Sequence, residues 1–323
     1  MAHKILYLSR ADVASLDLKM ESIIAALEQM FREKGEGRVE MPPKPGIHPR
    51  PDSFIHAMPA YIPGLNSAGM KWVSGYPENL QKGLPYISGL IILNNPETGL
   101  PLAVMDCTWI TAKRTGAATA VAAKYLARPD SKVVGILGCG VQGRSNLEAL
   151  NVLFTLQRVM AYDINPSAQE IYVKEMTATT GLEVLPAKNP QEAVTGCHLV
   201  VTAGPILKIP HATIKPGWLE AGAFASLVDY DSYWHPEALR EVDKFCTDDV
   251  LQLEYYKQAG YFQNIPAVHA DLGELITGRK PGRENRDERT MTCNLGLALD
   301  DMATAPLVYK LALKKTIGTW LLP

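Results

Sequence analysis

The chain has 323 residues, 47% of them apolar and 20% charged, which is enough to bury a core and too apolar for disorder. Its 32 Lys and Arg stand against 34 Asp and Glu, and a formal charge of -2 argues against a nucleic-acid or polybasic membrane-surface protein. No apolar run approaches the roughly 18 residues that a membrane helix needs.

The elements follow in chain order. Residues 1–12 carry Lys4, Arg10 and Asp12 without an uninterrupted apolar stretch, so they do not read as a secretory leader. Residues 18–37 show a helical pattern, with Ile23, Ile24, Leu27, Met30 and Phe31 three and four apart and Gly35 and Gly37 as the stop. Residues 41–64 hold Pro42, Pro43, Pro45, Pro49, Pro51, Pro59 and Pro63, a composition that excludes regular helix and a central strand. Phe54, Ile55, Met58, Tyr61 and Ile62 make this stretch too apolar for a tether, so it reads as an ordered, extended wall. Strands are predicted at 69–74, 86–93 and 102–106, a hairpin turn at 94–99, and an alanine-rich helix at 115–127.

From Ser131 the texture changes. Strands predicted at 133–137, 158–162, 182–185, 199–203, 223–228 and 244–247 alternate with helical stretches such as 145–153 and 167–179. This β-α-β rhythm predicts a parallel sheet covered by helices. A short helix at 272–278, a strand at 290–293 and a helix at 296–314 complete the reading. Five widely spaced cysteines (Cys107, Cys139, Cys197, Cys246 and Cys293) without a C-x-x-C pair fit the reduced thiols of a cytoplasm better than a disulfide framework, and no ligand cluster suggests a metal.

The most specific signal is Gly138-Cys139-Gly140-Val141-Gln142-Gly143, which follows a predicted strand and opens a helix. In that setting Gly138 allows a tight turn, Gly140 lets backbone approach a pyrophosphate, and Gly143 lets helix pack on strand. The helix start then offers N–H groups and the positive end of its dipole to the phosphates. Asp163 ends the next strand, where a carboxylate accepts the ribose hydroxyls and repels a 2′-phosphate, so NAD is preferred over NADP. Arg144 lies beside the turn, where it could still meet a phosphate, which keeps NADP as the alternative.

Isolated cations mark a second candidate site. Lys71 lies in an apolar strand, Arg114 follows Thr111-Ala112-Lys113, and Lys44 sits among prolines. Such cations usually snorkel to solvent; the functional reading has them converge on a carboxylate, which Arg clamps and Lys meets as a point charge. His56 is a candidate proton carrier. Asp229 and Asp231 follow the strand predicted at 223–228, and at the carboxyl end of a parallel sheet either could hold an amine.

Together these stretches resemble the ornithine cyclodeaminase/μ-crystallin family. The resemblance rests on Met41-Pro42-Pro43-Lys44, His56-Ala57-Met58-Pro59, Met70-Lys71-Trp72-Val73-Ser74-Gly75, Thr111-Ala112-Lys113-Arg114-Thr115-Gly116-Ala117, the glycine fingerprint, and Gly296-Leu297-Ala298-Leu299-Asp300-Asp301. It implies an α/β protein: a Rossmann-type NAD-binding domain, taken as 117–302, plus an α+β substrate-binding and dimerisation domain from 1–116 with 303–323. It also implies a homodimer acting on a small amino acid or imine.

In the terms of that resemblance, Lys71 and Arg114 fall where the substrate carboxylate is bound, and Lys44 where cyclodeaminases tend to carry arginine. His56 stands where that branch carries glutamate. Counting from Gly222, the aspartate that handles a distal amine falls on Asp231, with Asp229 as a possible stand-in. Thr115, Ala203 and Gly204 join Gly138, Gly140, Val141, Gln142 and Asp163 as expected cofactor contacts. The replacement at His56 places net hydride exchange at the α-carbon of a small L-amino acid or cyclic imine first, with Asp231, Lys71 and His56 as the catalytic candidates. Conversion of L-ornithine to L-proline and ammonia, with NAD recycled, stands second. A non-catalytic ligand-binding protein stands third.

Overall fold

The computed structural model describes residues 3–50 and 52–322; expectations that touch Met1, Ala2, Pro51 and Pro323 lie outside the described residues. Its elements up to the first long connection are β1 (Ile5–Leu8), α1 (Arg10–Ser15), α2 (Met20–Gly35), β2 (Gly46–Ile47), β3 (Phe54–Ile62), β4 (Ser67–Gly75), β5 (Ile87–Asn94) and β6 (Pro101–Asp106). Helix α3 (Thr108–Leu126) leads to β7 (Val133–Leu137), α4 (Val141–Leu153), β8 (Arg158–Tyr162), α5 (Pro166–Thr180), β9 (Glu183–Pro186), β10 (Leu199–Thr202) and β11 (Phe224–Leu227). There follow α6 (Pro236–Leu239), β12 (Lys244–Thr247), α7 (Val250–Gln258), β13 (Val268–Asp271), α8 (Leu272–Ile276), β14 (Thr290–Cys293), α9 (Ala298–Lys315) and β15 (Thr319–Leu321).

Two compact units result. The first is residues 1–114 with 297–323, the second 115–296. The breaks fall slightly before the expected 116/117 and 302/303. The second shift has a physical cause, because the first turn of α9 carries Asp300 and Asp301, which pair with cations of the first unit.

The first unit is a seven-stranded sheet in the order β15-β1-β6-β5-β4-β3-β2. Period-two alternation gives it one packed face. Met58, Lys71, Val73, Ile91, Leu93 and Met105 are buried on it, and α9 packs against β3, β4 and β5 and also against α2. On α2 the predicted positions Ile23, Ile24, Leu27, Met30 and Phe31 are all buried, and Met20, Glu33 and Gly35 join them. The proline-rich stretch corrects the expectation made for it, because β3 is a nine-residue strand one place from the sheet edge. Pro59 is tolerated there because it sits between Ala57 and Tyr61, whose N–H groups point away from β4 to the carbonyls of Pro45 and Glu40. The missing N–H thus removes no bond of the β3–β4 ladder.

Helix α3 begins at Thr108 rather than 115, because the Asp106 carboxylate accepts the Thr108 N–H at 2.9 Å and caps it. Arg114 and Thr115 therefore lie inside a helix. The short elements β1, α1, β13, α7 and β15 carry too little periodicity to be predicted.

The second unit holds an eight-stranded sheet in the order β13-β12-β14-β11-β10-β7-β8-β9, every pair parallel. From β7 the chain runs outward one way to β8 and β9, then returns to place β10 on the other side of β7. Between β7 and β10 lies the topological switch point, where sheets of this kind open a site at their carboxyl edge. Strand β7 is pinched, since a Cβ added to Gly135 would lie 1.8 Å from the Ala193 carbonyl oxygen. Gly135→Ala is expected to destabilise the chain by about 1–3 kcal/mol, as overpacking against backbone does, read as a lower urea midpoint with an unchanged slope.

Candidate active site

In the second unit the glycine turn follows β7 and its three glycines have three different reasons. Gly138 has φ +104°, a left-handed value that favours glycine, and a Cβ on it would lie 2.5 Å from the Ala203 carbonyl oxygen. A Cβ on Gly143 would lie 2.3 Å from the Gly138 carbonyl oxygen, so helix α4 can approach the turn only with glycine there. A Cβ on Gly140 would meet nothing within 4 Å. Gly140 borders open space and is the N-cap of α4 without supplying a side-chain cap. Val141 and Gln142 form the first turn of that helix, and Val141 is exposed.

Asp163 follows β8 and is aimed back at the turn. Its Oδ2 accepts the Cys139 N–H at 2.8 Å and its Oδ1 the Asn165 N–H at 2.9 Å. Ala203 and Gly204 follow β10 at the switch point. Open space, an uncapped helix start and an oriented carboxylate form a donor set that fits a dinucleotide. Within this unit the structure brings together Gly138, Gly140, Val141, Gln142, Asp163, Ala203 and Gly204. Thr115 lies further back in the fold, on α3, whose Gly116 abuts the Ser145 backbone of α4.

Asp229 and Asp231 follow β11. Asp229 is fully buried: its Oδ1 accepts the Thr202 hydroxyl at 2.6 Å and its Oδ2 the Gly204 N–H at 2.9 Å. Burial pushes its pKa up to about 7, against the lowering effect of those two donors. Asp231 is also buried, and burial raises its pKa as well. Tyr230 between them has φ +63°, a left-handed conformation that costs a non-glycine residue about 1–2 kcal/mol. Its ring is held among Tyr256, Tyr261 and Phe262 at centroid distances of 5.7, 5.9 and 4.8 Å. That aromatic cluster keeps the strained residue in place.

In the first unit Lys71, on β4, is 1% exposed and its Nζ lies 2.6 Å from Asp301 Oδ2. Arg114, on α3, places Nη1 3.1 Å from Asp300 Oδ2 and Nε 3.4 Å from Asp301 Oδ1. Both aspartates are completely buried in the first turn of α9, where the helix dipole favours negative charge, and Asp300 Oδ2 also accepts the Leu297 N–H at 2.9 Å. Burial pushes the Lys71 pKa down and Arg114 adds to this, while Asp301 opposes both. Sequence reading found the two cations and missed the roles of their partners; the one available signal was a pair of adjacent acids opening an apolar helix.

Lys44 is buried near the strand β2. His56, on β3, stacks on Phe54 at 4.3 Å and lies against Gly46. Burial first, then the charges of Lys44, His48 and Lys71, lower its pKa to about 3. That environment disfavours the doubly protonated imidazolium, leaving a neutral ring with one N–H and one acceptor nitrogen. Among the described residues no group of three or more His, Cys, Asp and Glu is placed to hold a metal ion, and no helix is long and apolar enough to cross a membrane.

A doubly wound parallel sheet with a glycine turn and a strand-end carboxylate at its switch point defines a dinucleotide-binding protein class. Residues 4–316 match the ornithine cyclodeaminase/mu-crystallin family, and the chain belongs to that family. It is 38% identical to the alanine dehydrogenase of Archaeoglobus fulgidus over 322 residues, 97% of each chain. Among solved structures it is similar to the Thermococcus litoralis Δ1-pyrroline-2-carboxylate reductase in complex with NADH and L-proline, at TM-score 0.89 and 36% identity, over 98% of this chain and 99% of that one. An archaeal alanine dehydrogenase dimer with bound NAD superposes at TM-score 0.88 and 36% identity over 99% of each chain.

Two predictions follow from these environments. Asp301→Asn leaves Lys71 buried beside a neutral group and is expected to cost about 3–5 kcal/mol in urea unfolding, whereas Lys71→Met with Asp301→Leu costs less than the single change. Asp229 has its pKa raised on folding, so its contribution is fully present below about pH 3.8 and is lost as pH rises through about 7. Asp229→Asn removes that loss, so the stability of this variant relative to wild type is expected to rise between pH 5 and pH 8 in parallel unfolding titrations.

Proposed function

We propose that this protein is an NAD-dependent oxidoreductase acting at the α-carbon of a small L-amino acid or its cyclic imine. The observation that carries the reading is the open space at Gly140 beside an uncapped helix start, in a turn whose other glycines are pinched against backbone. The cofactor seat is Gly138, Gly140, Val141, Gln142, Asp163, Ala203 and Gly204, with Thr115 supporting it from α3. Asp163 offers its remaining lone pairs to ribose hydroxyls and opposes a 2′-phosphate, which supports NAD over NADP. Bound nicotinamide supplies or accepts the hydride.

The first unit supplies the substrate anchor. Lys71 and Arg114, with Lys44, fix the substrate carboxylate and so orient the α-carbon. Asp300 and Asp301 hold those two cations at fixed positions, so that little reorganisation accompanies binding. Lys71, its pKa lowered by burial, is suited to pass a proton to or from the substrate nitrogen. Asp231 is the second candidate for that proton, and Asp229, engaged by Thr202 and Gly204, serves as its support. His56 stays neutral and contributes a wall.

The full-length relatives that are dehydrogenases and imine reductases support net redox chemistry. The buried carboxylate of Asp231 is the feature that favours cyclodeamination as the second reading, because that route needs a base for the distal amine. We also place the protein in the cytoplasm, supported by five cysteines that are all unpaired and buried.

The reading is tested with a panel read at the nicotinamide absorbance: pyruvate with ammonia, Δ1-pyrroline-2-carboxylate and other cyclic imines against NADH, with proline and ammonia assayed in parallel from L-ornithine. NADH oxidation with an imine, and no proline beyond the NAD supplied, is the expected result. Catalytic proline reverses the order of the two enzymatic readings, and binding without turnover supports a ligand-binding protein.

A homodimer follows from the face of the first sheet that α2 and α9 leave uncovered. Trp72 on β4 and Leu90 on β5 are directly paired there, 46% and 41% exposed, with Tyr7 on β1 also exposed. An apolar sheet face of this kind is an association surface. Trp72→Glu with Leu90→Lys is expected to shift the protein to monomer in sedimentation; a dimer of unchanged stability places the contact elsewhere.

A further inference from the structure

Arg144 stands one residue past the glycine fingerprint, where a cation is expected to meet a phosphate. Its side chain is committed elsewhere. Nη1 donates to the carbonyl oxygens of Cys139 and, at 3.1 Å, of Gly140. Nε and Nη2 donate to Glu175 Oε2 at 2.9 and 2.8 Å. The guanidinium lies 5.3 Å from the ring centroid of Tyr172, whose hydroxyl donates to the Gly143 carbonyl at 3.1 Å. Tyr172 is fully buried and belongs, with Glu175, to α5.

In a planar trans peptide the C=O and the N–H point in opposite directions. The Cys139 carbonyl shares its peptide with the Gly140 N–H, and the Gly140 carbonyl with the Val141 N–H. Holding the Cys139 oxygen on the side of Arg144 sends the Gly140 N–H to the opposite side, while the Gly140 oxygen also accepts the Arg144 main-chain N–H at 3.3 Å, so the helix and the side chain together direct the Val141 N–H.

We infer that Arg144, locked by Glu175 and Tyr172, is a positioning residue that fixes the direction of the Gly140 amide, reinforces the helical hold on that of Val141, and thereby sets the affinity for a dinucleotide pyrophosphate. The inference deepens the cofactor reading above and rests on it. Its sign separates it from direct contact. If Arg144 were a phosphate ligand restrained by Glu175, loss of the Glu175 charge would free it and tighten binding. A clamp loses its anchor and binding weakens.

The test uses the full chain as wild type, Glu175→Gln and Arg144→Met. Glu175 is a surface residue, 45% exposed at its side chain, so its variant keeps the question open if Arg144→Met folds poorly. Dissociation constants for NADH and for ADP-ribose are measured by calorimetry, and amide order parameters of Gly140 and Val141 by ¹⁵N relaxation without ligand. Expected are a Kd raised roughly tenfold for both ligands in Arg144→Met, a change of about 1.4 kcal/mol, and a smaller rise in Glu175→Gln. The order parameters are expected to fall from about 0.85 toward 0.6. Unchanged or tighter binding by Glu175→Gln, or order parameters equal to wild type in both variants, overturns the clamp. A wild type that binds neither ligand overturns the cofactor reading instead, and the order parameters still decide the clamp.

Discussion

The first unit depends on one buried arrangement: Lys71 and Arg114 against Asp300 and Asp301, all close to fully excluded from water. An isolated buried charge is far too costly to keep, so each of these four groups makes the other three tolerable. The cluster also ties together parts that are remote in the chain, with Arg114 and Asp300 separated by 186 positions. It explains why the last long helix joins the N-terminal sheet rather than the parallel sheet that precedes it. A purely apolar packing of the same volume would hold these elements at least as well. Keeping four charges there is therefore a cost to stability that packing alone does not explain.

The second unit solves the opposite problem, the close approach of backbones. Gly135, Gly138 and Gly143 each have a carbonyl oxygen where a Cβ would be. These contacts bring β7, β10 and the start of α4 together at the switch point, leaving Gly140 bordering open space. The turn is thus held on three sides, and Arg144 adds a fourth restraint through its two carbonyl bonds. Rigidity in a loop that meets an anion reduces what must be ordered on binding.

The parts legible in the sequence are those whose cause is local. Alternation of strands and helices from Ser131, the glycine turn and the buried stripe of α2 all arise within short windows, and their predicted positions lie close to the observed ones. The parts that were not legible have distant causes. Pro59 argued against an interior strand, and only the edge partners at Pro45 and Glu40 show that its missing N–H faces outward. The start of α3 depends on a cap from Asp106 that competes with a strand reading of the same stretch. Asp300 and Asp301 look like ordinary helix-opening acids until the fold delivers their cations. For His56 the residue type was visible and the environment was not: burial and neighbouring cations lower its pKa to about 3.

Four of the six aspartates buried among the described residues show how environment divides one residue type into different tasks. Asp300 and Asp301 sit against cations and at a helix start, so their charge is answered twice. Asp229 has only neutral donors, a hydroxyl and an amide, and burial brings its pKa to about 7. Asp231 is likewise raised by burial. A carboxyl group that exchanges its proton near neutrality can take part in amine chemistry, whereas one pinned between a lysine and an arginine serves to hold them. Across the strained Tyr230 the two carboxyl groups still act on each other, since the charge of Asp231 adds to the rise at Asp229.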